Sequence, residues 1–199
     1  MKQKTPFTSP RGAVKYPKLD QPYVWSDAKG SSVPEPTGEY STKLVVSNKL
    51  AKPLIETIDA AIKASGIKPK YLPYKAEIDK DSEEPTGNTE FTFKMYGLSF
   101  TKSPQKPLLA DAKGRPVKKA NITPGSEIIV SGAIKVGSKS ARMEMNSIQI
   151  VRLAPASTAE FAPIDEDDVF IADEDEDDEE VNQIDSAKEE TTINDKIPF

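Results

Sequence analysis

Alternation of apolar and polar positions marks several segments of the chain as strands. Tyr40-Ser41-Thr42-Lys43-Leu44-Val45-Val46 is rich in β-formers and alternates at its start. Residues 90–96, Glu-Phe-Thr-Phe-Lys-Met-Tyr, give the clearest pattern. Successive side chains of a strand point to opposite sides, so Phe91, Phe93 and Met95 share one face and Thr92, Lys94 and Tyr96 the other. Phe91 and Phe93 are therefore assigned to the core, and Tyr96 to the outer face with Lys94. Residues 127–136 form another strong strand, turned back by Gly137-Ser138-Lys139. Residues 141–153 pair with it as the closing strand. There the apolar phase moves from Met143/Met145 to Ile148/Ile150, which predicts a bulge near Asn146-Ser147. Residues 107–110, the turn Asp111-Ala112-Lys113-Gly114 and Arg115-Pro116-Val117 read as a short hairpin or strand end.

One segment has a helical period. Leu54, Ile55, Ile58 and Ile62 fall on one face, Pro53 suits a first turn, and Gly66 is a natural stop. About three turns of amphipathic helix are expected, covering one end of a sheet. Residues 67–88 read as a long loop, of the length that is functional or disordered in a compact domain. Residues 1–37 carry six prolines and little periodicity, and read as an extended arm with short strand pieces packed on the rest. About five strands and one short helix suit a mainly β domain over 38–155. An OB-fold-like five-stranded antiparallel barrel is the natural candidate, with a β-sandwich as the alternative.

Charge changes this picture by dividing the chain. Residues 1–155 hold 25 Lys+Arg against 15 Asp+Glu, a net of +10. Residues 156–199 hold 2 Lys against 17 Asp+Glu, a net of −15, with 12 acidic residues in the 16 positions 165–180. A segment so charged buries too little apolar surface to offset its ordering entropy, so a disordered acidic tail is expected from Ala156 onward. A basic body with an acidic tail points to a polyanion ligand; a merely solvated surface with a solubilising tail is the alternative. The chain has no Cys and no His, which excludes disulfides, thiolate chemistry, His-based triads and His-ligated metals. No P-loop, dinucleotide-binding glycine pattern or zinc-ligand spacing occurs, so neither an enzyme nor a cofactor is expected. No apolar run approaches the ~20 residues of a membrane span, and no h-region follows the N-terminus. A soluble, cytoplasmic protein is the expectation.

Binding single strands without sequence preference needs cations for phosphates and aromatic faces for bases. The two types interleave at Arg11 to Trp25, at Lys68 to Lys75 and at Lys94-Met95-Tyr96. Candidate contacts are Tyr96, Lys94, Tyr71, Tyr74, Trp25, Arg142, Lys43 and Lys102. Strand parity places Lys43, Lys94 and Arg142 on one open face. Tyr71 and Tyr74 flank Pro73 between lysines, either for contact or for loop packing, and Trp25 is either a stacking platform or an anchor. The acidic tail is a tethered competitor for the cationic groove. Its tip, Ile197-Pro198-Phe199, has the form of a peptide ligand whose Phe fills a pocket. Two rivals stand beside this reading: a protein-interaction module whose basic face binds an acidic partner, and a metal nuclease built from Asp/Glu alone.

Several pieces resemble the single-stranded DNA-binding proteins of bacteriophages, of the short-tailed phage replication type. They are Gly38-Glu39-Tyr40-Ser41-Thr42-Lys43-Leu44; Pro73-Tyr74; Thr89-Glu90-Phe91-Thr92-Phe93-Lys94; Asp111-Ala112-Lys113-Gly114; Gly125-Ser126-Glu127-Ile128; residues 140–154; and the acidic ending. The resemblance implies an OB-fold and sequence-independent binding of single-stranded DNA in replication, recombination and repair. It also implies an acidic C-terminal tail that contacts phage or host replication proteins such as polymerase and helicase/primase. No membrane partner is expected, and a homodimer is one assembly this reading allows. The last three residues are similar to the tip of bacterial single-stranded DNA-binding proteins, which suggests docking to host proteins.

Overall fold

The computed structural model describes residues 4–155, so the acidic segment and its tip lie outside the described residues. The elements are β1 (Thr5–Thr8), β2 (Gly12–Ser26), β3 (Ser31–Pro34), β4 (Glu39–Ser47), α1 (Asn48–Ser65), β5 (Tyr74–Ile78), β6 (Pro85–Tyr96), β7 (Leu108–Ala110), β8 (Pro116–Val117), β9 (Glu127–Val136) and β10 (Ala141–Arg152). Five strands pair in a closed circuit, β9–β2–β4–β6–β10–β9. This is the expected barrel. Four of its junctions are antiparallel, while β6 and β10 run parallel, with Met143 opposite Phe93. A closed ring with an odd number of strands cannot alternate direction all the way round. The expected antiparallel barrel therefore carries one parallel junction, between β6 and β10.

The core is what alternation predicts. Leu44, Phe91, Phe93, Ile128, Val130, Ile134, Met143, Met145 and Ile148 are fully buried inside the ring. β1 lies along β9 and sends Phe7 against Phe93, with ring centroids 5.7 Å apart. The bulge expected near Asn146-Ser147 is present: Met145 faces Gly132 while Ser147 faces Ser131. A Cβ on Gly132 would collide with the carbonyl of Glu144, so glycine allows the two backbones to close at this bulge.

The helix spans 18 residues, five turns rather than three. It begins at Asn48, so Pro53 lies inside it. It closes at Gly66, whose φ of 65° supplies the left-handed cap expected there. Ala51, Leu54, Ile58 and Ala61 are its buried line, with Ile55 and Ile62 packed at the edges of the core.

Two segments read as irregular are strands. Residues 1–37, expected as an extended arm, supply β1, β2 and β3, and β2 is a stave of the barrel. Pro17 and Pro22 hide it because they break the sequence pattern. The structure absorbs each where the β2–β4 register shifts, between Lys15 and Lys18 and between Lys18 and Tyr23. Within the expected loop 67–88, β5 pairs with β6. Its pattern is inverted: Glu77 is buried and Ile78 is exposed. A carboxylate buried beside outward Lys15, next to an exposed isoleucine, removes the alternation that would announce the strand.

Candidate nucleic-acid interface

The outer face of β2, β4 and β6 is laid out in three cross-strand rows. Tyr23, Glu39 and Tyr96 stand opposite one another; Lys18, Ser41 and Lys94 follow; then Lys15, Lys43 and Thr92. β10 adds Glu144 beside Lys94, and Arg142 two residues before it. Alternation puts the β4, β6 and β10 groups outside, and the two register shifts of β2 bring Lys15, Lys18 and Tyr23 to the same face.

At the centre is a four-residue cluster. Lys94 Nζ donates to Glu39 Oε2 at 2.8 Å, and Arg142 donates to Glu39 Oε1 through its second terminal nitrogen. The other terminal nitrogen of Arg142 donates to the Tyr96 hydroxyl at 2.7 Å. The guanidinium also lies over the Tyr96 ring, 4.3 Å from its centroid. Burial raises the Glu39 carboxyl pKa, but the hydrogen bonds and charges of Lys94 and Arg142 outweigh it and hold the pKa below the usual value. The carboxylate thus stays ionised and fixes both cations. Tyr96 keeps nearly half of its surface open to a ligand.

The far row faces a like-charge problem, since Lys15 and Lys43 stand directly opposite. Two carboxylates relieve it. Lys43 Nζ donates to Glu90 Oε1 at 2.9 Å, and Lys15 pairs with buried Glu77. Glu77 also accepts from Thr86 Oγ1 at 2.6 Å and Asn88 Nδ2 at 2.9 Å. Burial raises its pKa; the bonds from Lys15, Thr86 and Asn88 overcome that and bring it down to about 2.

The expected contacts distribute unevenly. Tyr96, Lys94, Arg142 and Lys43 meet on this one face, as parity predicts. Trp25 is exposed at the end of β2, donates Nε1–H to Asp27 Oδ1 at 2.9 Å, and lines a groove with Lys18, Tyr23, Glu39 and Lys94. Tyr71 is exposed and is tied to the β9–β10 turn, its N–H donating to the Lys139 carbonyl at 3.1 Å. Tyr74 goes elsewhere. Its ring packs 6.1 Å from Phe91 and its hydroxyl donates to Asp59 of α1 at 3.2 Å, so the loop-packing alternative describes it. Lys102 sits on the exposed loop after β6.

Tyr16 is the residue that the sequence pattern conceals. It has a φ of 49°, a left-handed value rare for a bulky side chain, at the first register shift of β2. The bulge brings Tyr16 outward beside Lys15 instead of inward. Its ring lies 5.5 Å from Lys43 Nζ and 5.8 Å from Lys80 Nζ. A hydrogen bond with Lys80, and that lysine's charge, hold the phenol pKa below its usual value. Lys18, within the interleaved segment Arg11 to Trp25 but outside the candidate contacts, reaches over the Tyr23 ring at 5.6 Å and donates to Ser32.

No protein-family model matches this sequence, and no curated protein matches it. Solved structures do. The single-stranded DNA-binding protein gp2.5 of bacteriophage T7 aligns with 86% of this chain and 100% of its own, at 19% identity and a TM-score of 0.54. The single-stranded DNA-binding protein of bacteriophage Enc34, solved in complex with ssDNA, aligns with 79% of this chain and 95% of its own, at 15% identity and a TM-score of 0.53. A C-terminally truncated form of that protein gives 14% identity, 76% and 87% coverage, and a TM-score of 0.55. The chain has the fold of these phage proteins. The likeness is one of backbone path, so it assigns no role to an individual residue here.

Proposed function

We propose that this chain binds single-stranded DNA without sequence preference and coats it, with no catalytic step. The observation that carries the reading is the outer face of β2, β4 and β6. It sets Tyr96, Tyr16, Tyr23 and Trp25 among Lys15, Lys18, Lys43, Lys94 and Arg142 on one continuous surface. Aromatic faces accept any base, and the cations follow a backbone. The fold supports the reading, since proteins that share it are described as single-stranded DNA-binding and one is solved with ssDNA.

Phage replication, recombination and repair is the setting this reading gives the protein. Residues 156–199 fit the role of a tethered polyanion that competes for the face and, through Ile197-Pro198-Phe199, engages replication proteins. One titration tests the binding claim. Labelled dT oligomers of graded length are added to the full chain and to a chain lacking 156–199. Binding should weaken with salt by about 0.7 log units per log of salt for each phosphate neutralised. It should tighten on loss of the −15 segment. Absence of binding, or binding indifferent to salt, sinks the DNA reading in favour of an acidic protein partner. Unchanged affinity without the segment removes the competitor role.

A further inference from the structure

The chain leaves β6 through a short, tight loop. Its neck is closed by the Gln105 N–H donating to the Gly97 carbonyl at 2.8 Å and by a bridge between Leu98 and Pro104. Its tip is braced from within. The Ser99 N–H donates to the Ser103 carbonyl at 2.8 Å and the Lys102 N–H to the Ser99 carbonyl at 2.9 Å. The Ser103 N–H donates to the Ser99 hydroxyl at 3.0 Å, and the hydroxyls of Ser99 and Thr101 bond at 2.9 Å. Lys102 closes the turn with a left-handed φ of 60°.

This braced tip holds Phe100 entirely in water, at 104% exposure. The other phenylalanines among the described residues, Phe7, Phe91 and Phe93, are buried. A ring that removes no apolar area from water does nothing for the fold. Two residues on, Lys102 takes part in no ion pair among the described residues, unlike Lys15, Lys43 and Lys94. The cleft beside the tip runs back to Tyr96, with Lys4 and Lys135 on its walls. Phe100 therefore extends the same surface that Tyr96 occupies, with a cation free of ion pairs among the described residues two positions further along the exposed loop.

We propose that Phe100 is a further base-stacking residue and Lys102 its phosphate contact, lengthening the binding track past Tyr96. The inference rests on the single-stranded DNA reading above. Bracing matters because the ordering of the loop is complete before a ligand arrives, which leaves more of the stacking free energy for affinity. A stacked base needs only a π-face, so the site is tolerant of sequence.

The test uses the full chain and labelled dT oligomers from short to long, with Phe100→Ala, Phe100→Leu and Phe100→Tyr. Phe100→Ala should leave the shortest bound oligomers unaffected and weaken the longer ones about 10-fold, the scale of one lost stacking contact. Phe100→Tyr should restore the long-oligomer affinity and Phe100→Leu should not. Equal affinity of all forms at every length overturns the inference. So does full rescue by leucine, which would make the contact one of apolar packing rather than of stacking. An equal loss at all lengths also overturns it, by placing the residue in the central site. A wild-type chain that binds no oligomer defeats instead the reading on which the inference rests.

Discussion

β4 and β6 present two faces made from alternate residues of the same two segments. Inside are Leu44, Phe91 and Phe93, none exposed to solvent, in contact with one another and with β9 and β10. Outside are Glu39, Ser41, Lys43, Thr92, Lys94 and Tyr96, paired across the strands but open to water. The inner face is held by non-directional burial, where shape and volume decide. The outer face is held by directional bonds between charges, in which each carboxylate fixes a cation in place. The first kind of surface cannot change without loss of the fold. The second can change and alter only what binds. The difference teaches where function is separable from stability in this barrel.

The sharpest way to break that division is from inside. Phe93→Ala should cost about 3–5 kcal/mol of stability, the usual range for an aromatic ring removed from a packed core. Chemical denaturation would measure it, and DNA affinity should fall only as the folded fraction falls. A stable Phe93→Ala protein with weak binding would show that the two faces are not independent.

From outside, the effect should reverse. Tyr96→Ala removes a half-exposed ring and leaves Glu39 with both of its cations. Oligo-dT affinity should drop by about 1–3 kcal/mol, as for a lost stacking contact, while the thermal midpoint stays nearly constant. Tyr96→Phe keeps the ring and loses only the bond from Arg142, so it should bind more tightly than Tyr96→Ala. A matching fall in the midpoint would reassign Tyr96 to structure.

The smallest effect concerns Glu77, which lies between the two categories because a buried carboxylate serves an outward lysine. Its pKa in the fold, about 2, lies below its ordinary value of 4.5. The stabilisation is therefore complete above about pH 4.5 and is lost as pH falls toward 2. Lys15 is partly open to water, which screens the pair, so the contribution is on the order of 1–2 kcal/mol. Glu77→Gln should flatten the acid limb of the stability–pH curve and, because it releases Lys15 from its carboxylate, should not weaken dT affinity at neutral pH. An unaltered acid limb would assign the acid sensitivity to other carboxylates, such as Glu39.

Period and parity made much of this legible in advance. The strands over 40–46, 90–96, 127–136 and 141–153, the inward Phe91 and Phe93, the outward Lys94 and Tyr96, and the bulge after Met145 all follow from alternation and its single phase slip. β2 was hidden because its prolines sit at register shifts, which interrupt the pattern without ending the strand. β5 was hidden because Glu77 occupies the position where an apolar residue would reveal it. Tyr16 was hidden for a third reason: a left-handed φ reverses the side to which it points, and a linear pattern carries no backbone angle. Tyr74 shows the converse, since its lysine neighbours suggest a contact while its ring belongs to the junction with α1.

The odd ring of strands has a consequence for how the chain comes together during synthesis. β2, β4 and β6 are made first and can pair as they emerge, since each neighbour follows closely in sequence. The ring closes only when β9 reaches back to Gly12 and β10 settles beside Phe93. Until β9 and β10 are made, the nascent sheet has edges paired only in part, by β3 and β5, and an apolar side that the missing strands leave uncovered. Such an intermediate is the species most exposed to aggregation, and contacts so distant in sequence form slowly. Yield during rapid expression should therefore be governed by the interval before β9 and β10 arrive, more than by the stability of the finished barrel.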